Sequence, residues 1–264
     1  DVSGDRGLAQ RRMVGGWVAT VKGLDDAVHR GGSGNPVEKH VVDGVKACLA
    51  HRADCIIGIG GGAALDVAKA VALMTHHAGS IIDYEDGKPD ARPIVREIPY
   101  WVALPTTSGT GSEVGRSTVI SDAHHVKRIV FHPRLLAKVV FADPLLTLEL
   151  PANITAATGM DAITHCVESY LAQDLPPTCD GIAPEALNPA PQPLPRAAPP
   201  RPPPHHAGDM MMASMMGAIA FQKGLGVAHS CAHALGQAAD MHHGLACGIM
   251  FDHATRLNAS ARPE

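Results

Sequence analysis

The sequence holds 264 residues with a formal charge of −4, 45% apolar side chains and only 3% aromatic ones, enough for one large domain or two modest ones with cores of Ala, Val, Ile, Leu and Met. It contains no basic block, which argues against a nucleic-acid surface, and no signal peptide or stretch apolar enough to span a bilayer. Six cysteines, at positions 48, 55, 166, 179, 231 and 247, form no CxxC pair and no regular framework, which suits free thiols in a reducing cytoplasm.

Asp1–Leu8 has the pattern of a strand end and its turn, with Asp5 where a dinucleotide fold often places a ribose-binding acid. A plain turn aspartate is the alternative. No strand or glycine-rich turn precedes it, so the first β-α unit is expected to be missing. Arg11–Asp26 reads as a helix, and the polar His29–Gly34 does not read as the short apolar strand expected there. Val37–Ala50 is predicted to be an amphipathic helix with Val41, Val42, Val45 and Leu49 on its apolar face.

Cys55–Ile59 reads as a short buried strand, ended by Gly60, Gly61 and Gly62 and followed by a helix over Ala63–Met74. Strand, three glycines and helix form a recipe for a pyrophosphate site: the glycines admit close backbone approach, and unpaired N–H groups at the helix start face the anion. Tight turns use glycine triplets too. Trp101–Leu104 reads as a strand that delivers PTTSGTGSE, Pro105–Glu113, where hydroxyls packed between glycines suit phosphate or amide contacts, or cap a helix. Ser117–Ser121 and Val139–Ala142 read as further strands, and Leu148–Thr155 as a junction, with Asn153 or Thr155 as the cap of the next helix.

That helix carries TGMDAITHCVESY, Thr158–Tyr170. Asp161 and His165 are four residues apart, so a helix stacks them on one face. His229 and His233 in HSCAH repeat the spacing, and His243 follows in MHHG. A carboxylate with three imidazoles nearly closes a first shell around a divalent transition metal. Sixteen histidines also make chance pairs common, and Asp161 has the alternative of a first-turn acid favoured by the helix dipole. Between these segments, Pro184–Pro204 holds ten of the 21 prolines. This predicts extended coil and an interruption over 184–207, either a partner-binding linker or the product of two compensating frame changes. Met210–Gln222 reads as a core helix, Val227–Ala238 as the second metal helix, and a last helix begins near Gly244.

TGMDAITHCVESY, GLGVAHSCAHALG and HHGLACGIM resemble the metal-binding segments of the iron-containing (group III) alcohol dehydrogenases, and GGGAALDVAKA and PTTSGTGSE resemble that family's cofactor segments. The resemblance implies metal ligation by Asp161, His165, His229 and His243, with His233 as the catalytic side chain lining the site. It implies cofactor contacts at Asp5, Asn35, Gly60, Gly61, Gly62, Thr106, Thr107, Thr110 and Lys127; the family usually has Ser where this chain has Ala63. The implied fold is an α/β nucleotide-binding domain, residues 1–148, followed by an all-helical metal-binding domain, residues 149–264, truncated at both ends. The implied reaction is hydride transfer between a small alcohol or aldehyde and nicotinamide, using Fe(II), with Zn(II) as alternative. NAD is favoured over NADP because Asp5, so placed, repels a 2′-phosphate. A cytoplasmic location is expected, with no nucleic-acid or membrane partner and a homo-oligomer left open. Alternatives are a catalytically impaired family member, a maleylacetate reductase, a glycerol dehydrogenase, or a lyase of the dehydroquinate synthase type. The lyase would need a lysine- and arginine-rich pocket that the helical half lacks.

Overall fold

The computed structural model describes residues 2–3, 29–30, 35–173, 177–188, 194, 203–239 and 241–261. Asp5 and the helix expected over Arg11–Asp26 lie outside the described residues. The chain forms two compact units, one of Asp1–Thr106 with Ser112–Ala142, the other of Thr107–Gly111 with Asp143–Glu264. The first is mixed α/β and the second helical. Among the described residues no helix is long and apolar enough to cross a membrane.

The strands of the first unit are β1 (Val2–Ser3), β2 (His29–Arg30), β3 (Cys55–Gly60), β4 (Tyr100–Pro105), β5 (Ser117–Ser121), β6 (Lys127–Phe131) and β7 (Val139–Val140). Five of them make a parallel sheet in the order β2-β1-β3-β4-β7, and β5 pairs with β6 as an antiparallel hairpin. His29–Arg30 is therefore a strand, contrary to the reading of HRGGSG. At the end of the sheet order it needs only one backbone partner, and polar residues are ordinary on an edge.

Helix α1 (Glu38–His51) buries Val41, Gly44 and Cys48. Val42 and Leu49, expected on the apolar face, are exposed, because the buried stripe runs through 41, 44 and 48 and leaves its neighbours on the solvent side. Helix α2 (Gly62–His76) follows the glycine turn and is nearly all apolar. Its Leu65, Ala68, Val71 and Ala72 pack with Ile56, Trp101 and Ala103 as one core. Gly58 in β3 makes this approach possible, since a Cβ there would meet the Ala68 Cβ at 2.8 Å.

A buried polar network ties α2 to the hairpin. Lys69 is completely buried, and its Nζ donates to Ser112 Oγ and to the Ser117 carbonyl, each at 2.8 Å, while lying 3.8 Å from Asp66 Oδ1. Asp66 in turn accepts from Ser112 Oγ at 2.7 Å and from the Val119 amide at 3.1 Å. Burial pushes the Asp66 carboxyl upward against the Lys69 charge, and it pushes the buried Glu113 carboxyl up to about 7. Burial lowers Lys69, while Asp66 and Glu113 oppose that shift.

The second unit contains α3 (Ala152–Leu171), α4 (Pro177–Leu187), α5 (Pro204–Ala220), α6 (Val227–Ala239) and α7 (His243–Ala261). Helix α3 is its centre and packs on α4, α5 and α7. Gly217 lets α5 approach α3, since a Cβ there would lie 2.8 Å from Cys166 Sγ. The N-cap of α3 is Pro151, and it makes no side-chain capping bond. Asn153 and Thr155 sit inside the helix instead of capping it, because the helix already starts at Ala152. The coil expected over 184–207 is not found at its start, and residues 189–193 and 195–202 lie outside the described residues. Pro184 lies inside α4, and the Asn188 amide still donates to its carbonyl at 3.1 Å. A proline there removes one helical hydrogen bond, while Cys179, Ala183 and Ala186 keep α4 buried. Nor is it found at its end: Pro204 opens α5 at a first-turn position where a missing N–H is harmless. Met210 and Met211 are core residues, as the reading of that helix expects, and Met212 is exposed.

Lys69→Met should destabilise the chain by about 3–5 kcal/mol in urea unfolding, because Asp66 and Glu113 lose their buried cation. Glu113 should make stability depend on pH. The native carboxyl keeps its proton to about 7, against an ordinary value of 4.5, so stability falls as pH rises between these values. Melting temperatures of Glu113→Gln measured across that window should decline less steeply than those of the parent chain.

Candidate metal centre

Helix α3 presents a buried polar stripe of Thr158, Asp161, His165 and Glu168, spaced three, four and three residues apart, as one helical face requires. Into this stripe come His229 from α6 and His243, the first residue of α7. Asp161 Oδ1 lies 3.8 Å from His165 Nε2, 3.4 Å from His229 Nε2 and 3.6 Å from His243 Nε2. The His165 and His229 rings stack at 4.5 Å between centroids, and Phe221 closes the far side of His165 at 4.8 Å. His233 is half-buried and meets the His243 ring edge-on at 5.1 Å.

The tightest group of donor atoms is Asp161, His229, His243 and Cys247, all within 4.8 Å of one another. Donors about 2.0–2.3 Å from a shared ion stand roughly 3–4 Å apart, close to the separations found around Asp161. Among the described residues the carboxylate has imidazoles and no lysine or arginine as ion-pair partners. Asp161 Oδ1 and His229 Nε2 are buried without a hydrogen-bond partner among the described residues. Orphaned acceptors facing one point beside a buried carboxylate fit a divalent cation.

Glu168 was not anticipated from the sequence, and it organises the site. Its Oε2 lies 2.6 Å from His229 Nδ1, and its carboxylate accepts from the backbone amides of Ala228 at 2.6 Å and His229 at 3.3 Å. It thus satisfies two of the free amides at the start of α6 from a different helix, and Gly226 leaves room for it, since a Cβ there would meet Oε1 at 2.7 Å. A carboxylate on Nδ1 favours the tautomer that turns the Nε2 lone pair toward Asp161. The signal in the sequence was its position seven residues after Asp161, on the same helix face.

Electrostatics follow this arrangement. Burial would raise the Asp161 carboxyl, but the imidazoles of His165, His229 and His243 hold it well below the usual range. Burial opposes charge on His229, yet the carboxylates of Asp161 and Glu168 push it up to about 11. Burial lowers His165 to about 4, opposed by Asp161. Glu168 is lowered by its hydrogen bonds to His229 and the α6 amides, against its own burial.

The sequence-predicted cofactor residues fall in both units. Gly60 ends β3, Gly61 caps α2 and Gly62 begins it. The Thr106 amide, at the end of β4, donates to the Gly60 carbonyl at 3.0 Å, and its buried Oγ1 has no partner among the described residues. Lys127 starts β6, and Asn35 precedes α1. Thr107 and Thr110 belong to the second unit, where Gly109 and Gly111 hold their loop against α3 and α5. A Cβ at Gly109 would meet Thr158 at 2.7 Å, and one at Gly111, which has φ +60°, would meet the Ala218 Cβ at 2.0 Å.

The family model for iron-containing alcohol dehydrogenase matches residues 2–144, and that for the C-terminal part of the Fe-containing alcohol dehydrogenase family matches residues 155–264. This chain belongs to the iron-containing alcohol dehydrogenase family. Among its relatives, 4-hydroxybutyrate dehydrogenase of Cupriavidus necator is 36% identical over 263 residues, covering 97% of this chain and 69% of its own. NAD-dependent methanol dehydrogenase of Bacillus methanolicus is 34% identical over 244 residues, covering 92% of this chain and 63% of its own. The crystal structure of a 1,3-propanediol oxidoreductase superposes with a TM-score of 0.91 at 32% identity, covering 100% of this chain and 69% of that one. The chain thus spans about two thirds of the length of these family members.

Glu168→Gln should weaken zinc binding about 10- to 100-fold, measured by competition with a chromogenic chelator, because the uncharged amide holds Nδ1 less firmly. Gly244→Ala should act from a distance. The new Cβ would lie 2.2 Å from the Ala157 carbonyl, so the start of α7, with His243, must back away from α3. Both the melting temperature and the zinc affinity should drop.

Proposed function

We propose that this chain carries out reversible hydride transfer between a small alcohol and NAD at a centre where Asp161, His165, His229 and His243 hold a divalent metal. The observation that carries this reading is the single carboxylate oxygen of Asp161 with three imidazole Nε2 atoms at 3.4–3.8 Å. A metal held there would supply Lewis-acid polarisation of the alcohol oxygen, and nicotinamide would supply the redox chemistry.

The chain's own residues do the rest. Glu168 fixes the His229 ring so that Nε2 faces Asp161. His233, beside His243, holds or passes the alcohol proton, a task suited to a half-buried imidazole. Gly60, Gly61 and Gly62 leave backbone N–H groups at the start of α2 to meet the pyrophosphate, and the Thr106 hydroxyl gains a partner in the cofactor. Asn35, Thr107, Thr110 and Lys127 contribute further contacts. We assign dinucleotide binding to residues 1–148 and metal binding to residues 149–264. The relative named as NAD-dependent supports NAD.

The test is metal content, a thermal melt with and without Fe(II) or Zn(II), and NADH formation with methanol, 1,3-propanediol and 4-hydroxybutyrate. Near-stoichiometric metal, an upward-shifted melt and alcohol-dependent NADH are expected. Asp161→Asn, which keeps volume but removes charge, should lose both the metal and the NADH signal. Absence of metal and of any shift in the parent chain would overturn the metal-centre reading, and bound metal without turnover on any alcohol would overturn the activity.

A further inference from the structure

We propose that the Cys247 thiolate is a ligand of the metal centre, in addition to the aspartate and histidines. The inference rests on the metal-centre reading above and extends it to a donor of different chemistry.

Cys247 is completely buried, and its Sγ lies 3.7 Å from His243 Nε2. Together with donor atoms of Asp161, His229 and His243 it forms the one group of at least three metal-competent side chains that closes to within 4.8 Å among the described residues. A sulfur about 2.3 Å and a nitrogen about 2.0 Å from one ion stand roughly 3.5 Å apart, near the observed separation. Helical spacing places the thiol there. Cys247 follows His243 by four residues on α7, so both side chains share one face, as Asp161 and His165 do on α3.

The other buried thiols of the described residues point elsewhere. Cys166 Sγ donates to the Ala213 carbonyl at 3.8 Å, Cys179 Sγ to the Ile219 carbonyl at 3.9 Å, and Cys48 Sγ accepts from Thr75 Oγ1 at 3.6 Å. Each is satisfied by its neighbouring helix. Cys247 instead faces an imidazole and a carboxylate, with Ala232, Leu235 and Met241 forming an apolar backing behind it. All six cysteines are free, so no disulfide claims the sulfur. On ligation the S–H bond breaks, a metal–sulfur bond forms and the proton passes to solvent, with no change of oxidation state. Thiolate with imidazole is a softer set than carboxylate with imidazole, and it moves the preference of the centre toward Zn(II).

The deciding experiment is zinc K-edge X-ray absorption on the zinc-loaded full chain. A sulfur shell at about 2.3 Å beside the nitrogen and oxygen shell at about 2.0–2.2 Å is expected. That sulfur shell should be lost in Cys247→Ser and in Cys247→Ala, and kept in Cys231→Ser. A parent chain that binds zinc through nitrogen and oxygen alone would overturn the thiolate assignment and leave the Asp–His centre standing. A sulfur shell that persists in both Cys247 variants would overturn the assignment to this residue. A chain that takes up no zinc would overturn both readings.

Discussion

The second unit is arranged around one buried negative charge. Asp161 is 1% exposed and carries an ionised carboxylate with no lysine or arginine beside it among the described residues. Such a charge is tolerable only if other groups converge on it, and the packing of three helices follows from that need. Helix α3 supplies the carboxylate and His165, α6 brings His229 and α7 brings His243. Each arriving helix is held by a specific contact with α3. Glu168 grips the first amides of α6, and Gly244 allows the start of α7 to touch the backbone of α3 at Ala157.

The first unit solves a similar problem without convergence on a shared ion. Here the buried carboxylates of Asp66 and Glu113 have a protein cation, Lys69, and the cluster is tied off by Ser112, the Ser117 carbonyl and the Val119 amide. The network anchors the helix that begins at the glycine turn, α2, to the β5–β6 hairpin. The two units therefore contrast in design. One neutralises its buried acids with a lysine, and the other surrounds its acid with imidazoles.

Much of this was legible in the sequence, for physical reasons that can be named. Asp161 with His165 was visible because the four-residue repeat of a helix is local, and the β3–glycine–α2 unit because its apolar strand and helix are both continuous. The family motifs carried His229 and His243. What escaped depended on partners distant in sequence. Glu168 is an ordinary helical acid until α6 begins against it some sixty residues later. Cys247 has the same four-residue spacing from His243 as the other pairs, but nothing local in the sequence says that this face of α7 meets α6 and α3. The exposed Val42 and Leu49 show that apolarity alone does not choose the buried stripe. Pro184 and His29–Arg30 show that tertiary contact and edge pairing override local preference.

The donors reach Asp161 from helices far apart along the chain, with His229 and His243 separated from α3 by α4 and α5. Under the proposed reading, a bound ion is then a removable cross-link that ties the ends of this long stretch together. Because only the folded chain presents the complete set, each tenfold rise in free metal above its dissociation constant adds about 1.4 kcal/mol to folding. In a cell this makes metal supply a control on protein abundance. When the ion is scarce, the loosened chains are the ones that proteases reach first, and the amount of protein falls before any surviving molecule changes its chemistry.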